Sequence, residues 1–175
     1  MPSERSMRKE AYMAKTTHEF GDFAAQGVCM AGNAFASVLL VKGQEDFGEE
    51  ELSALKASLE HLGYAPEAWA TLLTTTKTGD PINPELVRQA ISAFSPDTVL
   101  LVNDAAVASV REAYVEELDQ LKTDAEKIFS PRVLVHVCGM RVVNLDNFAG
   151  ALDDPHQKQM RWAAIKQVPP LGEPY

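Results

Sequence analysis

Cysteine is scarce in this sequence, positive charge is outnumbered, and no apolar run approaches the length of a membrane span. Only Cys29 and Cys138 are present among 175 residues. Two thiols give no disulfide framework and exclude a four-cysteine zinc or iron–sulfur site within one chain, so both are expected as reduced thiols. Lys and Arg total 16 against 25 Asp and Glu, a net charge of −9. Proteins that hold a phosphate backbone present a basic face that releases counterions, so binding to nucleic acid is expected to be weak or absent. Apolar runs such as Val38–Val41 fall far short of the roughly 20 residues that cross a bilayer. The opening segment, MPSERSMRKEAYMAKTTHEF, is charged and lacks the apolar centre of a signal peptide. A cytoplasmic protein with no membrane partner is the expectation. Also missing are a Walker loop, a dinucleotide-type glycine fingerprint and a nucleophile elbow.

What is present is a regular alternation. Ser37–Val41 reads as a buried strand, a short β-branched run ending at Lys42-Gly43. Glu49 to Leu62 follows as a helix with Leu52, Leu55, Leu59 and Leu62 on one face. Glu49, Glu50 and Glu51 suit the positive end of its dipole, and Gly63 stops it. A second strand is predicted over Trp69–Thr75. Asn83 then caps a helix with Pro84 in its first turn and Leu86, Val87, Ala90, Ile91 and Phe94 on its inner face. Thr98–Val102 reads as a third strand, Asp104–Leu121 as a helix, and Val133–Val137 as a fourth strand. Cys138-Gly139 turns the chain into a short extended piece, Arg141–Leu145. A last helix, capped by Asp154 with Pro155 in its first turn, runs to about Val168.

Strands separated by helices of about a dozen residues predict right-handed crossovers. The expected fold is α/β: a three-layer α-β-α domain over residues 31–168 with a small, mostly parallel four-stranded sheet. A helical extension over 1–30 precedes it and a proline-rich tail over 169–175 follows. Ligands of such sheets bind beyond the carboxyl ends of the strands. The loops Lys42–Phe47, Thr74–Asp80, Asn103-Asp104 and Leu145–Gly150 are therefore the expected rim of any site.

Two pairs of residues invite a chemical reading. His136 and Cys138 lie two apart on a strand and share a face, yet no third His or Cys is near in sequence, so no metal is expected. Asp153-Asp154 before Pro155 resembles a carboxylate pair, but helix capping accounts for it more simply. No cofactor is expected.

A longer pattern carries more. Gly139 to Val168, GMRVVNLDNFAGALDDPHQKQMRWAAIKQV, resembles the C-terminal segment of the uracil-DNA glycosylase superfamily, especially its bacterial and archaeal iron–sulfur type. There a run like G-I-P-V-x-P-T-F-H-P-A-Y-L-L-R-N-P precedes a helix, and Gly139, Pro155, Lys158 and Trp162 fall at matching places. Gly32–Val41 is similar to the family's G-N-P-x-A-D-V-L-F-V entry into its first strand. Pro96–Val107 is similar to R-P-K-V-I-V-A-L-G-x-x-A. The three segments cover most of residues 32–168 in order.

Where that family does its chemistry, this sequence departs. Its first motif, G-E-A-P-G, is replaced by Lys42-Gly43-Gln44-Glu45-Asp46. The Asn that reads the uracil edge falls on Thr74, and the glycine after the third strand has become Asn103. The His that stabilises the departing base falls on Asn147, followed by Phe148. No set of cluster cysteines remains. Phe47, followed by Gly48, lies where the family has an aromatic that stacks on the flipped base, though a loop aromatic tucked over the sheet reads equally well.

Glycosidic cleavage develops negative charge on the departing base, and losing one donor to it typically costs ~10²-fold in rate. The resemblance thus implies a degenerate site without convincing catalytic residues: Gln44, Asp46 and Asn147 occupy the motif positions. Phe47, Thr74, Asn103 and Asn147 are expected to face a common cleft suited to a small planar polar ligand. Three functions stay open. The chain is a glycosylase-like module binding a ligand or an unknown protein, an active glycosylase diverged to another base or nucleoside, or an unrelated α/β small-molecule-binding protein.

Overall fold

The computed structural model describes Ser3, Met7, residues 20–34 and residues 36–171. Its centre is an open, mostly parallel sheet of six strands, in place of the four expected. They are β1 (Met30–Gly32), β2 (Val38–Lys42), β3 (Trp69–Leu73), β4 (Thr98–Leu101), β5 (Leu134–Val137) and β6 (Met140–Asn144), in the spatial order β1-β3-β2-β4-β6-β5. The four inner strands run parallel, and β1 and β5 pair antiparallel at the two edges.

The helices are α1 (Glu49–Leu62), α2 (Pro84–Phe94), α3 (Asp104–Ala113), α4 (Val115–Leu118), α5 (Asp124–Lys127) and α6 (Pro155–Ile165); residues 20–25 are also helical. Alternation along the strands divides the core into two layers. Leu39, Val41, Leu72, Val99, Leu101 and Val142 face α2 and α3. Val38, Leu40, Leu100, Val102 and Val143 face α1 and α6. Phe20, Phe23 and Met30 pack on the first layer, so residues 20–30 are tied into the same body.

The sheet grows both ways from β2. The crossover through α1 leads to β3 on one side, and the return through α2 leads to β4 on the other. Crossovers of one hand that advance in opposite directions must lie on opposite faces, which is why α1 and α2 belong to different layers. The switch point therefore falls between the carboxyl ends of β2 and β4.

The expected order at the far edge needs correction. The segment named above as a mere extended piece is a fully buried inner strand, β6, beside β4. The expected fourth strand, β5, is the edge, and its burial alternates. Polar Arg141 and Asn144 disguised β6. Both are buried because each finds partners: Arg141 donates to Thr98 Oγ1 at 2.8 Å and to the Pro169 carbonyl at 2.7 Å, and Asn144 to the Phe129 carbonyl at 2.8 Å. Cys138 and Gly139 form the two-residue turn between β5 and β6 with φ of 49° and 77°. Positive φ at both positions suits the twist of a tight hairpin.

The long helix expected over Asp104–Leu121 breaks at Tyr114, whose φ of −118° leaves the helical region before α4 begins. The predicted caps are present. Asn83 accepts from the Glu85 amide at 2.8 Å, and Asp154 accepts from His156 and Gln157, which leaves Asp154 a capping residue.

Candidate functional site

Strand β2 ends at Lys42, whose side chain is buried on the α1 face with 3% exposure. A cation there requires a partner, since an unpaired buried charge is strongly unfavourable. Glu51, three residues into α1 and 2% exposed, supplies it: Lys42 Nζ lies 2.6 Å from Glu51 Oε1. The same oxygen accepts from the Gly48 amide at 3.3 Å, tying the first turn of α1 to the strand end. Phe47 leans over this pair, its ring centroid 5.7 Å from Lys42 Nζ, and packs half-buried on the second core layer. It sits as a loop aromatic tucked over the sheet.

Between them the loop turns outward. Gln44 takes a left-handed φ of 70° and is exposed, as are Glu45 and Asp46. Asp46 uses its carboxylate on its neighbour, accepting from the Phe47 amide at 2.7 Å.

The other face of the switch point closes on Gly43. The Asn103 amide pairs with its backbone in both directions. Nδ2 donates to the Gly43 carbonyl at 2.8 Å, and Oδ1 accepts from the Gly43 amide at 3.1 Å. Oδ1 also accepts from the Ala106 amide at 3.1 Å, so Asn103 is at once the α3 cap and a clamp between β2 and β4. A Cβ on Gly43 would lie 2.5 Å from Thr74 Oγ1 and 2.8 Å from the Ala105 Cβ, so only glycine fits. Thr74 is wholly buried beneath it, and its hydroxyl has no hydrogen-bond partner among the described residues.

Asn147 lies differently. It and Asp146 adopt φ near 55° and 56°, and the loop is pinned by Phe148 N–H donating to the Val102 carbonyl at 3.0 Å. The Asn147 side chain is exposed and turned onto its own short helical turn, with Nδ2 2.7 Å from where a Gly150 Cβ would stand.

The four expected ligand residues therefore come to the same rim without lining one cleft. Thr74 and Asn103 converge on Gly43 from within, Phe47 rests on Lys42 across the sheet, and Asn147 faces outward. Of the residues matching the glycosylase segments, Pro155 starts α6 and Lys158 is exposed. Trp162 packs half-buried on the second layer with its ring 5.4 Å from that of His61. His136 and Cys138 are both exposed at the β5 edge, and no cluster of three or more His, Cys, Asp or Glu able to hold a metal occurs among the described residues. No described helix is long and apolar enough to cross a membrane.

Among the described residues three recesses lie away from the rim, one of them a shallow hollow of about 620 Å³ over Phe23, Glu85 and Gln89. Another, of about 360 Å³ near the β5–β6 turn, is lined by Arg88, Tyr114 and Cys138. Arg88 stacks 4.8 Å above the Tyr114 ring and pairs with Glu117, which holds the Glu117 carboxyl below its usual range. Burial pushes the Tyr114 phenol up to about 12, so it stays protonated near neutrality and is no base there. The third, of about 580 Å³, runs beside β1 over Phe20 and Phe94.

Sequence reasoning missed the Lys42–Glu51 pair. The signal was there: a lysine closing an otherwise apolar strand needs a carboxylate, and the first turn of α1 holds three glutamates. No family model matches this chain, and no curated protein matches it. The glycosylase likeness rests on the three sequence segments given above.

Proposed function

We propose that this chain is a glycosylase-like α/β module that binds a ligand or partner and does not cleave N-glycosidic bonds. The observation that carries the reading is the use made of Asn103 and Gly43. At the switch point, where a sheet of this kind presents its chemistry, the amide capable of reading a base edge is committed to backbone on both sides. Below it Thr74 is sealed from solvent, and the buried Lys42 ammonium is held by Glu51.

Cleavage would need a donor aimed at the departing base and a positioned water. Gln44, Asp46 and Asn147 are the exposed polar groups at the motif positions, and the neutral Gln44 amide supplies no base. Asp46 is bonded to its neighbour's amide, and Asn147 lies over Gly150. The net charge of −9 also opposes capture of a DNA backbone.

The test is base release from single- and double-stranded DNA carrying uracil, hypoxanthine or xanthine, run with a DNA-binding titration. The expected result is no release above buffer and an affinity no better than ~10⁻⁴ to 10⁻⁶ M at physiological salt. Release abolished by Asn147→Ala would replace this reading with that of an active, diverged glycosylase.

A further inference from the structure

The recess beside β1 has a shape that its lining reveals. Six consecutive residues, Gly27 to Gly32, border it. Of these only Met30–Gly32 form the strand, and a recess on one face of a strand touches alternate residues, so one that borders all three reaches the strand's outer edge. No strand among the described residues pairs with that edge, since β1 ends the sheet order. On the inner side the Leu73 amide donates to the Cys29 carbonyl at 2.9 Å, and Ala31 stands opposite Thr71. In an antiparallel ladder the bonded positions alternate, so Met30 directs its N–H and C=O outward, and Gly32, with a φ of 98°, its N–H. Two such positions, one dipeptide repeat apart, match the spacing of an extended peptide.

The floor and one end of the recess add chemistry. Phe20 and Phe94 meet there with ring centroids 4.7 Å apart, giving an aromatic floor for one apolar side chain. Lys77 is the one charged residue among those that line it. The neighbouring hydroxyls are already engaged, Thr76 with Thr78 at 2.9 Å and Thr78 with Asp80 at 3.0 Å. Lys77 is exposed and suits a carboxylate arriving with the peptide.

We propose that the outer edge of β1 is a docking site for an extended peptide, which adds a strand there, rests one apolar side chain on the floor formed by Phe20 and Phe94, and sets a carboxylate against Lys77. Main-chain bonds to a sheet edge supply affinity in this mode, and the pocket beside the edge supplies selectivity. The inference rests on reading the chain as a binding module. It can fail while base release remains absent, so the two failures are distinguishable.

The test is an amide NMR titration of the full chain with blocked pentapeptides. The probes are acetyl-Thr-Val-Phe-Val-Glu-amide, its Leu-for-Phe and Gln-for-Glu relatives, and a backbone N-methylated copy. The expected dissociation constant is on the order of 10⁻⁴ to 10⁻³ M, with shifts centred on the Met30 and Gly32 amides. N-methylation should weaken binding at least about tenfold, and Lys77→Gln should lower affinity for the Glu peptide about threefold while sparing the Gln peptide. No shift with any of the non-methylated peptides at several millimolar would overturn the proposal, as would binding indifferent to N-methylation. Shifts that follow protein concentration without peptide would give the edge to a second copy. Overhauser contacts from residues 1–19 to Met30 would give it to the chain's own N-terminal segment. Either result overturns the peptide site.

Discussion

The carboxyl rim of the sheet and its β1 edge offer the same raw material, strand ends or edges whose backbone groups need partners. They meet the need in opposite ways. At the rim, Gly43 has both its amide and its carbonyl taken by Asn103, and the Lys42 ammonium is taken by Glu51. At the edge, Met30 and Gly32 face a recess of about 580 Å³. A position in a fold marks where chemistry can occur, but free hydrogen-bonding capacity decides whether it does. Among the described residues that capacity is spent where the fold would put a site and left over at the β1 edge.

If the rim is structural, substitutions there should act on stability and those at the edge should not. Lys42→Met should have the largest effect, about 3–5 kcal/mol in urea unfolding, because it leaves Glu51 buried without its cation. The paired change Lys42→Met with Glu51→Leu should recover most of that loss, and a double-mutant cycle measures the recovery. Asn103→Ala should cost about 2–3 kcal/mol, from the α3 cap and the orphaned Gly43 groups together. Gly43→Ala should cost about 1–3 kcal/mol, since its Cβ would press on Thr74 and Ala105 and neither is a flexible side-chain end. Ala31→Lys, on the exposed face of β1, should stay within about 0.5 kcal/mol by the same measurement. A rim substitution that proved neutral, or an edge substitution that unfolded the chain, would break the comparison.

The legible parts of the fold were those in which local pattern and burial agree. Strands β2 and β4 are unbroken apolar runs, and α1 and α2 carry their caps and apolar faces in plain view. Strand β6 was misplaced because Arg141 and Asn144 interrupt its pattern, and their partners Thr98, Pro169 and Phe129 are remote in sequence. Strand β1 was missed because three residues, Met-Ala-Gly, carry no periodicity, and pairing with β3 alone defines them. At the site, alternation of strands and helices located the rim correctly. It gave no means of seeing that Thr74 points beneath Gly43 while Asn147 turns outward.

By itself, then, the sequence determined the α/β class, the parallel inner strands that buried apolar runs and crossover helices require, and the scarcity of thiols and basic charge. Those follow from composition and from periodicities of two and 3.6 residues, which are local. Only the tertiary structure decided which polar groups remained available. Asn103 meets Gly43 across 60 residues, and Lys42 meets Glu51 across a turn that no period encodes. Satisfying a hydrogen bond depends on distance and direction in space, and the chain fixes these only once all its layers are packed.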